Sequence, residues 1–277
     1  MVSMTSTSEN RAGARRIDHC VLPVADLAGA RDRLTRLGFT VAPEGRHPFG
    51  THNACVYFAD DTFLEPLAVG DRTAAQQAIG QGNVFVARDA AFRAVHGQEG
   101  FSALVYKTDD AEADHERFVR DGVSAGKILP FSRPVVDASG QSGTASFRLA
   151  FAAPRGEDAT FLFTCQRIGV PAVDRSALER HRNGAIGIKA IMAQAGDPAG
   201  ARDVFAKIAG EGVAGIEIET GVTDPGLRLT GIVLAVADVG RTRDLFDEAG
   251  IGYSRSGDRV VVAPAPGQGF HFAFEER

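Results

Sequence analysis

The chain has 277 residues, 44% of them hydrophobic and 23% charged, the composition of a globular protein long enough for two ordinary domains. A formal net charge of -5 argues against a nucleic-acid or anionic-membrane binder, and no apolar run approaches membrane-spanning length. Cys20, Cys55 and Cys165 are odd in number, widely spaced and set in apolar strand patterns. That suits reduced thiols in a cytoplasmic protein, and the absence of any C-x-x-C argues against a thiolate zinc site.

Residues 1–15 are polar, lack the apolar core of a signal peptide and read as a disordered tail. A module follows over 16–69. Ile17 to Val24 reads as a strand, and Asp26 to Leu37 as an amphipathic helix with Leu27, Ala30, Leu34 and Leu37 on one face. Phe39 to Ala42 is a short second strand, Asn53 to Ala59 a third and Thr62 to Val69 a fourth, with a tight turn at Asp60-Asp61, so the order is β-α-β-β-β. Residues 70–100 break this rhythm. Ala74 to Ile79 and Asp89 to Val95 look helical, with Asn83 to Ala87 extended between them, as in an insert or lid.

A second module spans 101–168, with a long loop around Asp137 to Gly143. A polar linker covers 169–183, a truncated third module 184–226 and a fourth module 227–277. The opening strand IDHCVLPVADL returns near the C-terminus as TGIVLAVADV. In each unit an Asp behind the first strand is placed to cap the helix. The helix then closes at a glycine: Gly38, Gly122, Gly210 or Gly250. The fold class is therefore α+β, built from repeated βαβββ modules.

The residues that open and close the first module carry a resemblance. Asp18-His19-Cys20-Val21, Gly38-Phe39 behind the helix, and Phe63-Leu64-Glu65-Pro66-Leu67 as last strand resemble the vicinal oxygen chelate superfamily. That superfamily includes glyoxalase I, extradiol ring-cleaving dioxygenases, fosfomycin-resistance proteins and bleomycin-binding proteins. Within it, Gly45-Arg46-His47-Pro48, Gly50-Thr51-His52-Asn53-Ala54 and Leu64-Glu65 are most similar to the glyoxalase-like domain group. The resemblance is specific over 16–69, extends over 101–183 and is topological beyond. It implies modules paired into cupped mixed sheets, with a divalent metal on the cup floor. The ligands there are a His or Gln on the first strand and a Glu on the last strand of each unit.

His19 and Glu65 take those two positions here. Period-two alternation puts Ile17, His19 and Val21 on one face, and Phe63, Glu65 and Leu67 likewise. An imidazole and a carboxylate together suit zinc, nickel, iron or manganese. The other units do not complete the set. Alignment on the capping Asp sets Ser102, Lys189 and Gly231 against His19, and Phe163 and Phe272 stand against Glu65. A third donor is therefore expected from His47, in a loop able to fold over the cup mouth, or from His181, in the linker. His52 alternates onto the helix-packing face with Ala54, Val56 and Phe58, which leaves Asn53 for the cup. The expected catalytic and metal-ligating residues are thus His19, Glu65 and His47. The expected substrate contacts are Asn53, Ser102, Phe163 and His181, with Arg46, Arg133 and Arg148 for anions at the rim or wall. His96, His115 and His271 fall outside.

The leading expectation is a small-molecule enzyme with isomerase or lyase chemistry on vicinal oxygens, assisted by one divalent metal. An extradiol-type dioxygenase stands behind it. A metal-free sequestering protein of the bleomycin-resistance type is the alternative. A third reading makes Glu65 and His19 a metal-free proton relay, in which burial raises the Glu pKa and lowers that of His. With no Gly-rich phosphate loop in a strand-turn-helix context, no nucleotide cofactor is expected. The expected partner is a small-molecule substrate, with neither nucleic acid nor membrane, in a monomer or homodimer.

Overall fold

A computed structural model of the chain describes residues 14–277 except 137–141, 155, 157–158, 171–173, 211–214 and 222–225. Almost all of the expected tail, and residues 137–141 of the expected loop, therefore lie outside the described residues, while Ser142 and Gly143 of that loop belong to a strand. The first module comprises β1 (Ile17–Pro23), α1 (Leu27–Arg36), β2 (Gly45–Arg46), β3 (Thr51–Asn53), β4 (Val56–Tyr57) and β5 (Phe63–Val69). After the helices α2 (Arg72–Gly80) and α3 (Val84–His96), the second module comprises β6 (Ala103–Lys107), α4 (Ala111–Arg120), β7 (Leu129–Val136), β8 (Ser142–Ala152) and β9 (Phe161–Ile168). The shortened third unit is β10 (Ala185–Ala195), α5 (Pro198–Ala209) and β11 (Ile216–Thr220). The fourth is β12 (Leu227–Val236), α6 (Val239–Glu248), β13 (Ser254–Ser256), β14 (Arg259–Val262) and β15 (His271–Glu276).

Helix starts follow the aspartates. Asp26, Asp110, Asp197 and Asp238 cap α1, α4, α5 and α6, each carboxylate accepting from a backbone N–H of the first turn. Modules then join in pairs through their first strands. β1 runs antiparallel to β6 and parallel to β5, giving a mixed sheet ordered β2-β3-β5-β1-β6-β9-β8-β7, with β4 also beside β5. β10 joins β12 in the same way, giving a second sheet ordered β11-β10-β12-β15-β14-β13.

The sheets are two curled layers sharing one core. Leu22, Leu64 and Phe118 from the first pair cluster with Ile232, Phe272 and Phe274 from the second, and the Phe39 ring lies 5.4 Å from that of Phe272. The first sheet curls until its outer strands approach. Phe131 of β7 stands 5.3 Å from Phe49 and 5.8 Å from His47, which flank β3, so side chains close the cup where no backbone ladder is formed. Phe85 and Val86 of α3 pack into the same cup-side cluster as Val105, Phe151 and Phe163, which makes the insert one wall of the cup. Among the described residues no helix is long and apolar enough to cross a membrane.

Three local expectations are corrected. Phe39 to Ala42 forms no strand, because Gly38 at φ +85° turns the chain and, although Ala42 N donates to Cys55 O, the carbonyls of Val41 and Ala42 accept from the Arg31 side chain and not from a strand. The expected third strand is split into β3 and β4. Asn83 to Ala87 is not extended: the Asn83 side chain accepts from Val86 N at 3.1 Å and starts α3, and helix follows to His96.

Gly38 is also a junction between the module pairs. Its carbonyl accepts from Arg182 N, Asn183 Nδ2 donates to Leu37 O at 2.8 Å, and a Cβ at Gly38 would run into Leu245 and stand 2.9 Å from Asn183 N. Gly38→Ala is expected to lose roughly 2–4 kcal/mol through left-handed strain and overpacking. Denaturant unfolding checks this, and a loss under about 1 kcal/mol would contradict the tight junction.

Candidate functional site

The hollow of the first sheet encloses a cavity of ≈ 290 Å³ whose lining includes His19, Glu65, Asn53, His47, Phe163 and Arg133. Register explains how the first two meet. In the parallel β1–β5 pair His19 stands opposite Phe63 and Val21 opposite Glu65, so His19 and Glu65 are diagonal neighbours on one face. His19 Nε2 lies 3.5 Å from Glu65 Oε2. Asn53, from neighbouring β3, donates through Nδ2 to Glu65 Oε1 at 2.6 Å. His47 arrives from the β2–β3 turn, with Nδ1 2.9 Å from Thr51 Oγ1 and Nε2 3.6 Å from Glu65 Oε1.

Asp18 completes the cluster. Strict alternation would turn it away from His19, but the β1–β6 register shifts between Ile17 and His19, and the irregularity brings consecutive side chains together. His19 Nδ1 donates to Asp18 Oδ2 at 2.7 Å, and Arg167 of β9 donates to the same oxygen at 2.8 Å. The His19 ring is stacked on Phe63 at 4.3 Å, which fixes its plane.

The charges reverse the sequence-based expectation. Burial alone would hold the Glu65 carboxyl up, yet the hydrogen bond and charge of His19, the proximity of His47 and the Asn53 bond bring its pKa down to about 2. Burial would likewise depress His19, but its bonds to Asp18 and Glu65 and their charges raise it above the ordinary histidine value. Asp18 is lowered by its bond to His19 and by the charges of His19 and Arg167, against the cost of burial. Burial takes His47 down to about 4, with attraction to Glu65 opposing it only in part. The floor thus favours the protonated form of His19 between two carboxylates and the neutral form of His47 beside them.

Several expected residues lie elsewhere. Arg46 is exposed and bonded to Glu44 at 2.9 Å, and Arg148 lies 4.0 Å from Glu112 away from the cavity lining. Ser102 is buried off the cup face, its Oγ donating to Val21 O at 3.4 Å. His181 cannot serve the site because both ring nitrogens bond to backbone, Nδ1 accepting from Thr40 N and Nε2 donating to Tyr57 O. His52 faces Glu44 at 3.1 Å. Asp18, Arg167 and Arg175 line the cavity and were not anticipated. For Asp18 the available signal was a carboxylate inside an apolar strand, which needs a partner.

Module equivalences are corrected as well. Because Asp110 and Asp197 are the caps, the counterparts of His19 are Ala103 and Ala190, in place of Ser102 and Lys189, while Gly231 holds in the fourth unit. Register keeps Phe163 as the Glu65 counterpart in the second module but gives Ala273, not Phe272, in the fourth. In the third unit that counterpart is Glu217, held by both terminal nitrogens of Arg259 at 2.6 Å.

The family model described as a glyoxalase-like domain matches residues 17–209. The chain belongs to the glyoxalase-like domain family. It is thereby a member of the vicinal oxygen chelate superfamily. The glyoxalase-like chain has the fold of a hypothetical protein from Staphylococcus aureus at TM-score 0.65 and 13% identity, covering 94% of this chain and 99% of that one. It also superposes on a mutant 4-hydroxymandelate synthase from Streptomyces coelicolor, at TM-score 0.57 and 13% identity over 95% and 93% of the two chains. A catechol 2,3-dioxygenase matches at TM-score 0.53 and 12% identity over 96% and 89%. Comparison with curated proteins by sequence returns no match.

The superfamily implies a metal, and the donors of this glyoxalase-like protein can be tested against one. His19 and His47 address opposite oxygens of Glu65, one of which already accepts from Asn53. The second module supplies Ala103 and Phe163 where ligands would stand. Among the described residues no group of three or more His, Cys, Asp or Glu is placed to hold an ion. The donor set does not fit a resident metal, and no step below passes through one.

The glyoxalase-like site has a titration signature. Between pH 6.5 and about 4 the unfolded His47 gains a proton that the folded residue refuses. Folding stability is therefore expected to drop by up to about 1.4 kcal/mol per pH unit across that window from this group. His19, raised instead, contributes stability that is complete below pH 6.5 and is lost as pH rises through its folded value. Urea unfolding at stepped pH checks the first slope, and His47→Gln should flatten it. An unchanged slope in the variant contradicts the assignment.

Proposed function

We propose that this protein is an enzyme that moves a proton on a small substrate bearing adjacent oxygens, in the manner of an isomerase or lyase. The observation that carries this reading is the His19 imidazole held between Asp18 and Glu65 at the floor of the cavity, where both carboxylates favour its protonated form. A substrate oxygen admitted beside His19 Nε2 takes its hydrogen bond, and the cation stabilises the oxyanion that develops as the neighbouring C–H is broken. Glu65 receives that proton. Its low pKa rests largely on His19, so transfer of the His19 bond to substrate leaves the carboxylate more basic when a base is needed. In an isomerisation the oxyanion takes a proton from His19 Nε2, the neighbouring hydroxyl gives its own back to that nitrogen, and Glu65 returns its proton to the adjacent carbon; in a lyase reaction Glu65 retains the proton while the leaving group departs with its bonding electrons. Asp18, joined to Arg167, keeps the His19 ring oriented and protonated.

The cup is enclosed within one chain, so a monomer suffices for this chemistry. A sequestering protein is the competing function, and the same experiment separates the two. In heavy water, hydroxyacetone and related small hydroxyketones are expected to exchange the C–H beside the carbonyl, followed by proton NMR. Glu65→Gln and His19→Gln should each slow exchange by about 100-fold or more. Chelator should leave the wild-type rate unchanged. The rate should fall as pH rises through the elevated His19 pKa, because the protonated form is the one required. Saturable binding without exchange on any of these compounds would favour sequestration. Exchange that vanishes with chelator would remove the metal-free mechanism.

A further inference from the structure

The mechanism leaves Arg133 of the cavity unused. Arg133 projects from β7 into the cup, and among the described residues its Nε is buried with no hydrogen-bond partner and no carboxylate forms an ion pair with it. Its charge bears on His47, Cys55 and Tyr57, all first-module residues that share the cavity. Room for it is built in: a Cβ at Gly45 of β2 would stand 2.7 Å from the guanidinium Nη1. The Phe147 ring lies under it at 5.9 Å. A cavity guanidinium with unfilled hydrogen-bonding capacity is a receptor for an anion.

Two other arginines line the cavity. Arg167 is bonded to Asp18 at 2.8 Å, and Arg175 lies over the Tyr57 ring at 4.3 Å. A single guanidinium among the ring-lined walls suits one negative charge better than a phosphate dianion. The walls complete the specification. Phe49 meets Phe131 edge-on at 5.3 Å, Phe131 stacks on Phe147 at 5.0 Å and Phe85 meets Phe163 at 6.1 Å, a lining that takes a flat ring by stacking or edge contact. The volume of ≈ 290 Å³ exceeds the roughly 150 Å³ that accommodates benzene in a protein interior, leaving space for a short side chain.

We infer that the substrate is a single-ring aromatic carboxylate, its acid group taken by Arg133 and its ring by the phenylalanine walls. This rests on the proton-transfer reading for the fate of the substrate, but the recognition is measurable without turnover. Calorimetric titration of the full chain with phenylacetate, phenylacetamide, acetate and phenylphosphonate tests it. Phenylacetate is expected to bind at least about tenfold more tightly than the neutral amide and than acetate, and more tightly than phenylphosphonate. Arg133→Gln should erase the advantage of acid over amide while leaving the amide affinity unchanged, and Arg133→Lys should keep part of it. Circular dichroism melting checks that the variants are folded. If Arg133→Gln is not, the wild-type ligand series and Arg133→Lys decide.

Equal affinity for acid and amide, equal affinity for acetate and phenylacetate, tighter binding of phenylphosphonate, or no saturable binding at all would each overturn the inference. The exchange experiment on Glu65 and His19 stays interpretable in every one of these cases. Conversely, failure of exchange with the acid preference intact would remove the enzyme and keep the ligand class.

Discussion

The pairing of β1 with β6 is the constraint on which the site depends. Along that antiparallel seam the first module meets the second, and the register irregularity between Ile17 and His19 lies in it. Without the irregularity, Asp18 and His19 would project to opposite faces, and the imidazole would face Glu65 with nothing to hold its other nitrogen. With it, His19 is bonded on both sides, and the hydrogen bonds and charges of the two carboxylates outweigh the cost of burying a cation. The same seam brings Phe163 and Arg167 of β9 into the first module's half of the cup, the former at 5.8 Å from the His19 ring.

The two sheets share a plan and differ in what fills their hollows. In the second, Ala190, Val233 and Ala273 form a floor of small residues. Across the corresponding face Lys189, Glu275, Arg259 and Glu217 are linked in a chain of ion pairs. Glu217, the register counterpart of Glu65, is neutralised there by a bidentate arginine. The first cup instead keeps its acidic residue beside histidines and lines its walls with rings, so cavity volume remains where the second sheet has charge-paired side chains. One fold thus yields a ring-lined hollow and an ion-paired face through the residues on alternate positions of equivalent strands.

The α2–α3 insert belongs with the first cup for a related reason. Two modules of a curled sheet leave one side of the hollow uncovered, and Phe85 and Val86 fill it from α3. Anchoring is polar as well as apolar: Arg93 of α3 donates to Asp89, to Val24 O and to Leu67 O, which ties the helix to the ends of β1 and β5. The insert is therefore a fixed wall of the cavity, through which Phe85 reaches both His47 and Phe163.

Much of this was readable along the chain. The repeated strand, capping Asp, helix and closing Gly reported the modules, because caps and left-handed turns are local demands met by nearby residues. Period-two alternation put His19, Glu65 and Asn53 on the cup face for the same reason. What alternation could not report was where it fails: the irregularity that turns Asp18 toward His19 is set by pairing with a strand more than 80 residues away. Counting from the wrong aspartate shifted Ser102 onto a face that Ala103 occupies, since only helix geometry distinguishes Asp110 from Asp109 as the cap. The order of the capped strand–helix units and the placing of His19 and Glu65 on one face were thus determined by the sequence itself. The charge balance around that pair, the removal of His181 to a backbone role and the placing of Arg133 in the cup were decided only by tertiary structure, because each depends on groups that folding brings together from distant parts of the chain.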